Sequence, residues 1–174
     1  MTQPCITLVS FGNFEKVLLE RVAHSIHREF GHCIGFREMY TEIGQYFDPA
    51  RRQYNGNKIL QMVETLALPD SVKTIGLFTV DLFIPILTYI FGQAYLNGNS
   101  GIVSKYRLNN ELYGLPGDEK LLESRLIKEV NHELGHCFGL IHCHNPECVM
   151  RASTYVEDID LKSEALCPEC RGRV

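Results

Sequence analysis

A chain of 174 residues with 45% hydrophobic and 22% charged side chains is long enough to bury the core of one domain. Its formal net charge of -4 and the lack of any lysine/arginine cluster exclude a generic polyanion binder, so no nucleic-acid partner is expected. Ile75 to Phe91 is the most apolar stretch, but Asp81 and Pro85 interrupt it, and no membrane span is expected. Met1 to Gly12 offers neither a basic leader nor a cleavage site. The sequence therefore reads as a cytoplasmic protein, with a monomer as the simplest assembly.

Cys5 to Phe11 reads as a strand rich in Ile, Leu and Val. Asn13 can cap a helix in which Phe14, Val17, Leu18, Val22, Ile26 and Phe30 recur at three- and four-residue steps, ended by Gly31. A short strand is expected from Cys33 to Glu38, then a polar loop from Tyr46 to Asn57. A helix should follow from Lys58 to Leu66, closed by Pro69, with a central strand from Val72 to Val80. This order favours a mixed α/β sheet with helices on its faces. Two runs, Tyr89 to Leu96 and Ile102 to Leu108, flank a glycine- and asparagine-rich turn and predict a hairpin. Asp118 opens a long amphipathic helix carrying Leu122, Leu126, Val130 and Leu134 on one stripe. It should stop at Gly139. Residues 140–174 are poor in apolar side chains and form a small subdomain that needs outside help to stay folded. The division expected is one catalytic domain over 1–174, with an upper part of 1–139.

The chemistry concentrates at the end of the long helix. His132 and His136 are four residues apart, about 40° around a helix axis, so both imidazoles can face one point. His142 lies six residues past His136, on the wrong face of a continued helix, but Gly139 can take a left-handed conformation and turn the chain back. Three neutral histidines leave a zinc ion with an open position, the arrangement of a catalytic site. Glu133 then stands where it can accept a proton from a water at that site. The other histidines, His24, His27, His32 and His144, read as ordinary surface or core residues.

Seven cysteines without an export signal point away from a disulfide framework. Cys143, Cys148, Cys167 and Cys170 have the short paired gaps of a four-thiolate structural zinc site, which would also supply folding free energy to the tail. Two zincs per chain are expected. His142 and Cys143 are neighbours whose side chains oppose each other in extended chain, so one segment can serve both metals. Cys5 and Cys137 read as core thiols.

His132 through His142 resembles the zinc-protease motif of the metzincins. Followed at once by Cys143, Cys148, Met150, Cys167 and Cys170, it is similar to the archaemetzincins in particular. Asp81-Leu82-Phe83 and Phe91-Gly92-Gln93-Ala94 are also similar to that family. The resemblance implies a metzincin-like α/β (α+β) fold with a mixed twisted sheet, an antiparallel edge strand and an active-site helix. It implies a zinc metalloprotease acting on peptides or proteins, with Met150 as candidate for the methionine turn beneath the metal. The hairpin would contain the edge strand against which an extended peptide could pair. A different class of function is a zinc-dependent peptide-binding or regulatory module with little catalytic activity. A nucleic-acid zinc knuckle is disfavoured, because Lys162, Arg171 and Arg173 are offset by neighbouring acidic residues.

Overall fold

The computed structural model describes residues 4–66, 68 and 70–174. The central feature is a five-stranded sheet in the order β2-β1-β5-β8-β7, built from β1 (Cys5–Phe11), β2 (Ile34–Glu38), β5 (Ser71–Phe78), β7 (Gly92–Ala94) and β8 (Ser100–Ser104). The first four run parallel; β7 alone is antiparallel, pairing Gly92 with Val103 and Ala94 with Gly101. β5 is the middle strand, as the run from Val72 to Val80 predicts. The parallel strands are covered on both faces, and the period of two divides their side chains. Ile6, Leu8, Ile75, Leu77 and Val103 face α1 (Lys16–Phe30) and α3 (Glu119–Cys137). Val9, Phe11, Phe78 and Ile102 face α2 (Gly56–Glu64).

Several boundaries move. α1 starts after Glu15 rather than Asn13, while Gly31 ends it with φ 72°. α2 runs from Gly56 to Glu64 because the Asn55 carboxamide accepts from Lys58 N–H and caps it early. The expected stop at Pro69 lies outside the described residues. The polar loop from Tyr46 to Asn57 contains β3 (Phe47–Asp48) and β4 (Gln53–Asn55), which join β6 (Leu82–Phe83) in a small second sheet. The hairpin strands are shorter than predicted, since β7 pairs over three residues and the chain coils into 3-10 turns from Tyr106 onward.

One expectation is corrected outright. Cys5 is not a lone core thiol: it forms a disulfide with Cys33. The parallel register that sets Ile6 beside Ile34 brings the preceding residues to a Cα separation of 4.7 Å, within disulfide reach. That register is a tertiary fact which strand patterns read singly do not contain.

The last residues form two short helices: α4 (Val156–Leu161), whose Val156 and Ile159 join the main core, and α5 (Pro168–Arg171), beside a small core of Leu140, Val149, Met150 and Leu166. Polar links fasten them to the body. Arg125 of α3 grips both Asp160 oxygens at 2.7 Å, and Glu29 of α1 accepts from Leu166 N–H at 2.9 Å and from the Arg171 guanidinium. Among the described residues, no helix is long and apolar enough to cross a membrane.

Candidate active site

α3 carries the site, and its C-terminal half is buried almost all round because α1, β7, β8 and the tail enclose it. The helix ends at Cys137, two residues before Gly139, whose φ of 88° is the left-handed conformation required. Gly139 N–H and Leu140 N–H bond back to the His136 and Gly135 carbonyls at 2.9 Å, closing the turn. Asn97 N–H also donates to the His136 carbonyl at 2.8 Å, tying the β7–β8 turn to the end of the helix.

That turn returns His142 to its partners. One ring nitrogen from each of His132, His136 and His142 lies within 4.8 Å of the others. The His132 and His136 Nε2 atoms are 3.1 Å apart, against about 3.3 Å for two ligands of a tetrahedral ion at Zn–N distances of 2.0–2.1 Å. Their other ring nitrogens are taken: His132 Nδ1 meets the Val149 carbonyl at 2.8 Å, and His136 Nδ1 meets that of Leu140 at 2.7 Å. Such bonds fix the tautomer that leaves Nε2 free for a metal. Burial depresses the pKa of all three imidazoles, with Lys162 adding its positive charge, so they favour the neutral, ligating form.

Glu133 is 4% exposed. Burial raises its pKa well above the usual carboxylate range, the Glu129 charge adds to this, and Lys162 offsets part of it. The edge strand runs directly over it. A Cβ placed on Gly92 would stand 2.7 Å from Glu133 Oε1 and 2.7 Å from the Ile102 carbonyl oxygen, so glycine is what permits the approach. Beneath the site, Met150 is fully buried with its sulfur against Gly135, where an added Cβ would displace the thioether.

A cleft of about 450 Å³ opens above these groups, between β7 and the segment following Met150. Tyr89 spans it, donating from its hydroxyl to the Thr154 carbonyl at 3.0 Å. The Arg107 guanidinium lies 4.1 Å over the Tyr89 ring and is itself held by Asp81 at 2.6 Å through two bonds. Opposite, Asp158 accepts from Thr154 and Tyr155 N–H groups at 2.8 and 2.9 Å, which holds its pKa down and fixes the lower wall.

The four tail cysteines also converge, with their sulfurs within 4.8 Å of one another. Cys143 and Cys167 sulfurs are 3.9 Å apart, against about 3.8 Å for a tetrahedral pair at a Zn–S distance of 2.3 Å. Burial raises the Cys148 and Cys170 thiols, whereas hydrogen bonding, led by the Cys170 backbone, lowers Cys167. Four sulfurs at this spacing are the donor set of a closed tetrahedral zinc site, whose charge would hold them as thiolates. Cys137 stands apart as the expected core thiol, pushed up to about 12 by burial. His24, His27, His32 and His144 join neither cluster.

Outside the motif, Glu129, Tyr89 and Ser153 line the cleft, and the buried Lys162 contacts Glu129. Glu129 could have been found, since it precedes His132 and Glu133 by three and four residues on one helix face. Lys162, with a fully buried side chain 3.2 Å from Glu129, and Tyr89 and Ser153 carry no local signal.

The chain matches the model of "Peptidase family M54" over residues 41–174. It is 40% identical over 129 residues to the archaemetzincin of Thermococcus kodakarensis, covering 74% of this chain and 69% of that one. The archaemetzincin of Sulfolobus acidocaldarius is 33% identical over 171 residues, 97% of this chain and 95% of the relative. Crystal structures of archaemetzincins from Methanopyrus kandleri and Archaeoglobus fulgidus superpose with TM-scores of 0.85 and 0.81. Their identities are 29% and 30%, they cover 96% and 97% of this chain, and 91% and 99% of their own. With the fold, the histidine triad and the family model all in agreement, the chain belongs to peptidase family M54, the archaemetzincins, and is a zinc metallopeptidase.

Proposed function

We propose that this peptidase uses His132, His136 and His142 to hold the catalytic zinc and Glu133 as the general base. The single observation that carries this is the convergence of three imidazoles beside a buried carboxylate directly under an edge strand. Zinc held there supplies a Lewis acid and lowers the pKa of water. Glu133 takes the proton from the attacking water on its carboxylate and passes it to the leaving amine. The outer edge of β7 offers main-chain groups to an extended peptide, which places the bond to be cut above Glu133. The four cysteines, Cys143, Cys148, Cys167 and Cys170, hold a second, structural zinc, supported by their paired spacing and by the convergence of their sulfurs within 4.8 Å. On this reading residues 140–174 are a metal-pinned subdomain beneath an upper part of 1–139.

Peptides or proteins are the substrates. A monomer acting in the cytoplasm, without nucleic acid, accords with the net charge of -4 and the absence of a basic cluster. The Cys5–Cys33 bridge weighs against a reducing compartment. Non-reducing electrophoresis of cells lysed into an alkylating agent reads the state of the bridge, and cell fractionation reads the compartment.

The test is an unbiased peptide library incubated with wild type and Glu133→Gln, beside elemental analysis. Two zincs per chain and hydrolysis falling by about 10²–10⁴ in the variant are expected. Equal cleavage by both would sink the assigned mechanism. Zinc-dependent peptide binding without cleavage by wild type would establish the binding-module alternative.

A further inference from the structure

The cleft has two ends, one on either side of Glu133. Ala94, His136 and His142 lie at one; Tyr89, Glu129 and Ser153 lie at the other. At this second end two buried oxygens have no hydrogen-bond donor. Glu129 is 3% exposed, and its Oε1 is ion-paired with the Lys162 ammonium at 3.2 Å without a hydrogen bond. Ser153 Oγ is likewise buried and unpartnered. The two other such atoms among the described residues point elsewhere. Asn131 is turned toward Ser25 and Glu164, and Gln93 toward Asn57 and Gly56. Lys162 donates to the Arg151 carbonyl at 3.1 Å and lies 3.5 Å from His132 Nδ1. The Tyr89–Thr154 bond walls this end and makes it a pocket.

Chain direction says which part of a substrate enters it. Antiparallel pairing is the more stable ladder. A peptide pairing antiparallel to β7 runs from the Ala94 end toward the Tyr89 end, so the residue following the cleaved bond reaches Glu129 and Ser153. Resting on the peptidase reading above, we propose that Glu129 and Ser153 select, at that position, a side chain that donates hydrogen bonds. Glutamine, asparagine, lysine and arginine fit this; apolar and acidic side chains do not. An apolar side chain would leave both oxygens unpaired, and an acidic one would set a carboxylate against a carboxylate. Sites built to bond a polar group reject analogues lacking it far more strongly than apolar pockets discriminate by size.

The experiment uses the zinc-loaded full chain and peptides identical except for glutamine, methionine or glutamate after the cleaved bond. Glutamine and methionine are close in size, so the comparison isolates hydrogen bonding. Glutamine should exceed methionine by about tenfold or more in kcat/KM, with glutamate slowest. Ser153→Ala should shrink that ratio several-fold while leaving the melting temperature within a few degrees. Fluorescence-detected binding to Glu133→Gln should give the same order without turnover. Cleavage with methionine equal to or above glutamine overturns the pocket and leaves the peptidase reading intact. A glutamine preference unchanged in Ser153→Ala also overturns it. Binding in the proposed order with no cleavage by wild type would instead support the pocket and defeat the peptidase reading.

Discussion

Glu133 is held where a carboxylate is least comfortable, and that has a measurable cost. Its folded pKa is raised by burial, whereas in the unfolded chain it ionises at about pH 4.3. Between those values the unfolded chain has released a proton that the metal-free fold retains, so stability falls as pH rises through that window and stays lower above it. Metal-free Glu133→Gln should therefore melt above metal-free wild type at pH 7–8 and match it below about pH 4. Each kcal/mol recovered is worth about 2–4 °C. A lower melting temperature for the variant at pH 8 would contradict the cost of burial. Gly92 makes the opposite prediction. Gly92→Ala forces a Cβ against both Glu133 and the Ile102 carbonyl, and should lower stability by about 1–3 kcal/mol as well as peptidase activity. Urea titration and kcat/KM measure the two effects separately.

At the level of elements, the two-zinc proposal requires α3 and the tail to fail differently when metal is removed. α3 is anchored by Leu126, Val130 and Leu134 in the main core, so His136→Ala should leave the fold standing with its zinc lost. The tail core is small, and two of its buried members, Cys148 and Cys170, belong to the thiol cluster. Cys167→Ser should therefore lower the melting temperature clearly more than His136→Ala, with hydrogen exchange rising first between Cys143 and Cys170. α4 should stay protected longer, because the Arg125–Asp160 bonds survive metal loss. Equal losses from the two substitutions would refute that division. The same contrast explains what could be read in advance. Helical spacing and ligand spacing are local, so α1, α3, the histidine triad and the cysteine quartet were legible, and Gly139 signalled the turn. The two-residue strands β3 and β6 have no period to detect. The polar anchors of Glu29, Arg125 and Lys162 join residues more than thirty positions from their partners, which no window along the chain contains.

Across the whole molecule, the disulfide and the active site occupy opposite margins of the sheet. Cys33 adjoins β2 at one edge and the cleft borders β7 at the other, four strand spacings or roughly 19 Å away. Cys5→Ala/Cys33→Ala should lower stability by about 2–4 kcal/mol while leaving kcat/KM unchanged at a temperature where both proteins are folded. A loss of activity under those conditions would show that strain crosses the sheet.

The adjacency of His142 and Cys143 limits how such a chain can change over generations. In extended backbone each added residue reverses the side to which the next side chain points. One residue inserted between the two would turn the cysteine away from its three partners or the histidine away from its two. This junction therefore has a fixed length. The tail cannot be exchanged as an independent cassette, nor can the histidine motif be grafted without it. The histidine triad and the cysteine quartet are thereby bound into a single heritable unit by one peptide bond.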